Sequence, residues 1–149
     1  MSKGENAAAM PDIALLPAHR PFLVPVYEAH IALAEFDEKK ADAIIEKAVA
    51  DFAQEGDMLF EAAQYYAGKC ECEKAIGYYE QSYAAEAGHR PRFTDALEGI
   101  AAIYEIMGDN EKAAATYDRI IENLRTEWGM TEEAALKCAE AEKERLLKK

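Results

Sequence analysis

The chain has 149 residues, 50% of them hydrophobic, with eight glycines and five prolines, which is enough for one domain that buries roughly two-thirds of the surface its unfolded chain exposes. Acidic residues number 29 and basic ones 17, for a net charge of −12; a field of that sign repels phosphate backbones and anionic lipid and argues against nucleic-acid and membrane partners. No apolar run reaches the length of a membrane span, Pro11 and Asp12 interrupt what would be a leader's apolar core, and the three cysteines suit a reducing compartment, so a soluble cytoplasmic protein is expected.

Residues 1–20 form an N-terminal segment in which Asp12–Pro17 fits one helical turn or an extended stretch equally well. Beyond it the chain repeats itself. Ala41-Asp-Ala-Ile-Ile-Glu-Lys-Ala48, Ala75-Ile-Gly-Tyr-Tyr-Glu-Gln-Ser82 and Ala113-Ala-Ala-Thr-Tyr-Asp-Arg-Ile120 align, with 34 residues from Ala41 to Ala75 and 38 from Ala75 to Ala113. Twelve residues before each leading alanine stands another, at Ala29, Ala63 and Ala101. Small residues at a fixed separation predict two helices that approach closely at one point, where a larger side chain would hold the backbones apart.

The periodicity around these marks is helical. Leu59, Ala62, Ala63 and Tyr66 fall at i, i+3, i+4 and i+7, as do Leu97, Ile100, Ala101 and Tyr104. Ala75, Tyr78, Tyr79, Ser82 and Tyr83 carry one face of the partner helix. Turns are predicted at Phe36-Asp37, Cys70-Glu71 and Gly108-Asp109-Asn110, with acidic residues opening each second helix to suit its dipole. Glu127-Trp128-Gly129 ends the third pair, and Thr131 is expected to cap a final helix over 131–148. Trp128 is expected to wedge between the third pair and that helix. No segment alternates apolar and polar over a useful length, so no strand is predicted.

Paired helices at this period with these marks resemble the tetratricopeptide repeat. The second copy carries the resemblance on Leu59, Ala62, Ala63, Tyr66, Ala75, Tyr79 and Ser82, and the third on Leu97, Ile100, Ala101, Tyr104, Gly108, Ala113 and Tyr117. The first copy has Ala29, Ala41 and Ala48 but Ala32 and Ile45 in the aromatic places. The proline that usually closes a repeat is replaced by Ala53, Ala87 and Arg125, and Ile120 stands where a small residue is usual. Gly88-His89-Arg90-Pro91 takes up the four extra residues between the second and third copies. The resemblance implies an all-α superhelix of three helix pairs, about 22–55, 56–90 and 92–126 within 21–126, with a C-terminal capping helix over 130–149. It also places Tyr66, Tyr79, Tyr104 and Tyr117 in interhelical packing.

No residue pattern points to catalysis. There is no Gly-x-Ser-x-Gly, and Gly68-Lys69 lacks the earlier glycine of a phosphate loop because Ala63 holds that place. Cys70-Glu-Cys72 has a metal-like spacing but no further ligands near it in sequence, so both cysteines read as turn-packing residues; no metal and no cofactor are expected.

By the resemblance, the first helix of each pair lines a concave groove, which is the usual recognition surface of such stacks. The implied groove residues are Leu23, Val26, His30 and Leu33, then Asp57, Phe60, Gln64 and Ala67, then Asp95, Glu98, Ala102 and Glu105. Apolar at its early end and acidic at its late end, such a groove repels acidic tails and favours a protein or peptide partner with an apolar stretch and a Lys or Arg. The expected function is a non-catalytic protein-interaction module, an adaptor or scaffold. The alternatives are an export chaperone of the small acidic three-repeat kind and a scaffold that self-associates, with Ile13–Leu23 exchanged between copies of a homodimer.

Overall fold

A computed structural model describes residues 21–148; the expectations for residues 1–20 lie outside them. Among the described residues the chain is all-helical, with seven α-helices and no strand. They are α1 (Leu23–Ala34), α2 (Glu38–Asp51), α3 (Gly56–Gly68), α4 (Cys72–Ala85), α5 (Asp95–Ile106), α6 (Asn110–Thr126) and α7 (Ala134–Leu147). None of these helices is long and apolar enough to cross a membrane.

Three turns share one geometry. Phe36 and Cys70 each sit at φ 63° and Gly108 at φ 82°, all in the left-handed region. At each, the next residue reaches back across the turn: the N–H groups of Asp37, Glu71 and Asp109 donate to the carbonyls of Ala32, Tyr66 and Tyr104 at 2.9, 3.0 and 2.9 Å. That bond satisfies carbonyls which the ending helix would leave open. Asp37 and Asp109 then cap the following helix, each carboxylate accepting the N–H three residues on, from Lys40 and Lys112, at 3.1 Å. Glu71 makes no such cap; its longer side chain pairs with Lys69 instead, at 3.1 Å.

Each helix packs chiefly against its neighbour in the chain: α1 on α2, α3 on α4, α5 on α6, and α7 on α6. The α4–α5 junction is also extensive, whereas α3 meets α1 and α2 more lightly. The small residues singled out by the repeat, Ala29, Ala41, Ala63, Ala75, Ala101 and Ala113, are all buried. Tyr66 and Tyr79 are buried, and Tyr104 and Tyr117 are half-buried against the core.

Two expectations about the C-terminal end are corrected. Helix α7 starts at Ala134 rather than beside Thr131, and Glu133 occupies the cap position. The Glu133 carboxylate draws the N–H groups of Thr131 and Glu132 to itself at 2.7 and 3.1 Å, which closes a tight turn before the helix can begin. Trp128, expected between the third pair and α7, is tied to the α4–α5 connection. Its Nε1–H donates to the carbonyl of Arg92 at 2.7 Å and its ring lies 5.7 Å from that of Phe93, because the long α4–α5 connection reaches over to meet it.

Candidate recognition site

The connection from Glu86 to Thr94 is where the helix register of the repeat is interrupted, and it is held by one acidic side chain. Glu127 is 5% exposed in its side chain and takes both guanidinium donors of Arg92, Nε at 3.1 Å and Nη2 at 2.6 Å. It also accepts the backbone N–H of Arg92 at 3.0 Å. The Arg92 hydrogen bonds, against the cost of burial, hold the Glu127 carboxyl at about 2, well below the usual carboxylate range. The Arg92 guanidinium stacks 3.9 Å from the centre of the Tyr83 ring. Asn123, buried in α6, donates to Tyr83 Oη at 2.9 Å and to the Arg92 carbonyl at 3.2 Å. The connection is thus tied to α4 and α6 from both sides.

Against this wall lies a cleft of about 510 Å³. Asp57, Phe60 and Glu61 of α3 form one side, Ser82, Tyr83 and Glu86 at the end of α4 the floor, and Pro91, Phe93, Asp95 and Ala96 the other side. Phe60 is fixed by an edge-on contact with the Tyr79 ring at 5.4 Å, and Ser82 ties α4 to α3 through a 2.8 Å bond to the Gly56 carbonyl. Tyr79 in turn presses on α5 at Gly99, where an added Cβ would stand 2.5 Å from the ring. The cleft's carboxylates face one guanidinium already engaged by Glu127 and the imidazole of His89, which stands 4.0 Å from Glu86.

Of the residues the sequence points to, Asp57, Phe60 and Asp95 come together here. Gln64 and Ala102 are exposed on α3 and α5, and Ala67 is half-buried. On α1 the outcome differs. Val26 is 2% exposed and belongs to the core with Phe22 and Ala29, so it backs the surface rather than lining it. Leu23 and Leu33 are half-buried against the same core. His30 packs edge-on to Tyr65 at 6.0 Å, and burial lowers its pKa.

The acidic end is divided rather than continuous. Glu98 lines a separate slot of about 190 Å³ between α5, α6 and α7, with Tyr117, Leu124 and Ala139. Burial, and then the neighbouring Asp95 carboxylate, push its pKa up. Glu105 is engaged by Arg145 of α7 through two bonds at 2.9 and 3.0 Å, so the terminal helix neutralises part of the surface expected to carry open negative charge.

A polar seam between α2 and the second pair is not foreshadowed by any motif in the sequence. Tyr65 and Tyr66 donate to Asp42 and Glu46 at 2.7 and 2.6 Å. Lys69 bridges Glu38, Asp42 and Glu71, and Lys74 holds Glu46 at 2.8 Å. Burial works against the ionised Asp42 and Glu46, but hydrogen bonds from the lysines and tyrosines outweigh it and both pKa values fall. The one available signal was the placement of acidic residues on α2 at helical spacing, at Asp42 and Glu46. No family model matches the chain, and no curated protein matches it either.

Proposed function

We propose that the chain is a stack of three tetratricopeptide-type helix pairs closed by α7, working as a non-catalytic protein-interaction module that takes a peptide or helix of another protein on the side formed by α1, α3 and α5. The observation that carries this reading is the recurrence of one turn at one register. Phe36, Cys70 and Gly108, the left-handed residues of the turns that share this back-bond, stand 34 and 38 residues apart, the same intervals as the buried alanine pairs. Pairs built alike and packed mainly on their chain neighbours make an extended surface, and recognition is what such surfaces commonly do. The cleft at Asp57, Phe60 and Asp95 supports a partner that combines apolar and basic side chains.

Fluorescence anisotropy with labelled synthetic peptides tests this. Peptides combining apolar residues with lysine or arginine are expected to bind, with affinity falling as salt is raised. The same apolar residues combined with glutamate should not bind. Equal binding of both sets would remove the electrostatic selection, and binding of neither would remove the interaction-module reading.

A further inference from the structure

We infer that the partner is anchored at the junction of the second and third helix pairs, by an aromatic or branched aliphatic side chain seated between Phe60 and Phe93 with a lysine or arginine beside it on Asp95. This rests on the interaction-module reading and adds where the binding strength resides and which residue types supply it.

Phe93 is 73% exposed, an unusual place for a large aromatic, and its ring meets that of Trp128, itself 39% exposed. Exposed aromatics beside a concave site are the residue class that dominates interface energetics. Their backbone is not loose. The preceding residue, Arg92, is held through its guanidinium and N–H by Glu127 and through its carbonyl by Asn123 and Trp128. A wall fixed in advance loses little freedom when a ligand lands on it. The cleft it bounds, about 510 Å³, falls in the usual range for sites that enclose a ligand group, roughly 300–1,000 Å³.

Charge selects the neighbour. Asp95 stands on the rim at the first turn of α5 with Glu98 one turn on; burial first, and then repulsion from Asp95, push the Glu98 carboxyl up. The guanidinium in the cleft lining, that of Arg92, is already paired with Glu127. A cation delivered by the partner relieves that repulsion, whereas a partner carboxylate would add to it. The α1 face offers less, since Val26 is buried and Leu23 and Leu33 are half-covered by the core.

The single tryptophan of the chain lies against Phe93 at the edge of the proposed site, so its emission reports on it without a label. The probes are two synthetic peptides that differ only in having phenylalanine between lysines or between glutamates. The lysine peptide should change Trp128 emission saturably and the glutamate peptide should not. Phe93→Ala and Asp95→Asn, both at exposed positions, should each weaken the lysine peptide at least tenfold, whereas Leu33→Ala and Gln64→Ala, on the groove away from the junction, weaken it less than either; circular dichroism confirms that all four keep their helicity. Weakening by Leu33→Ala or Gln64→Ala with Phe93→Ala unchanged overturns the anchoring at this junction and leaves the interaction module standing. Failure of the lysine peptide to bind the native chain overturns both.

Discussion

At the three inter-helix turns one position carries a conformational cost that side-chain chemistry decides. An L-residue in the left-handed region costs about 1 kcal/mol relative to glycine. Gly108 avoids that cost, while Phe36 and Cys70 bear it at equivalent positions. Phe36 is 95% exposed and Cys70 is exposed, so neither recovers much through packing. Phe36→Gly and Cys70→Gly are therefore expected to raise stability by about 0.5–1 kcal/mol each, and Gly108→Ala to lower it by about 1 kcal/mol. Thermal melts of the three variants check the sign, which must reverse between the first two and the third.

Two contacts at the α4–α5 junction determine how the second and third pairs meet. Gly99 admits the ring of Tyr79, which would stand 2.5 Å from an added Cβ. Tyr79 is 5% exposed and held against Phe60, so Gly99→Ala forces a packed ring to move and should cost about 1–3 kcal/mol, read from urea unfolding. The second contact is Glu127 with Arg92. Glu127→Gln leaves a guanidinium without its counter-ion and should cost roughly 3 kcal/mol. The pH dependence follows from the same group. Its folded carboxyl lies at about 2 against an ordinary 4.5, so its stabilising contribution is complete above about 4.5 and is lost as pH falls toward 2. Acid titration of stability should be steeper in the native chain than in Glu127→Gln over that window; equal slopes would show that the pair does not couple folding to protonation.

Over the molecule as a whole, stability is unevenly distributed. The α4–α5 junction is extensive and buries Tyr79, while α3 meets α1 and α2 more lightly and through a polar seam of Asp42, Glu46, Lys69 and Lys74. Helices joined through one light junction open there first. Amide hydrogen exchange is expected to be faster in α1 and α2 than in α4 and α6. Asp42 and Glu46 have lowered pKa values, so the seam holds above the ordinary carboxylate range and weakens as pH falls through the lowered values, and acid should widen the difference. Uniform exchange across the helices would contradict the light junction.

Helix positions, the closing turns and the buried alanines were legible in the linear chain because each depends on residues within a few turns of one another. The spacing of Leu59, Ala62, Ala63 and Tyr66 is a local property, and so is the preference of Gly108 for a left-handed turn. The candidate cleft was legible only in part, at Asp57, Phe60 and Asp95. What escaped are pairs far apart in sequence: Trp128 with Arg92, 36 residues away, Glu127 with Arg92 at 35, Arg145 with Glu105 at 40, and Tyr65 with Asp42 at 23. Periodicity tells which face of a helix is apolar. Which charged or aromatic side chain meets which across a junction depends on how one helix lies against another, and here on where a long connection is pinned. The burial of Val26 and the split of Asp95, Glu98 and Glu105 among a cleft, a slot and an ion pair were decided at that level.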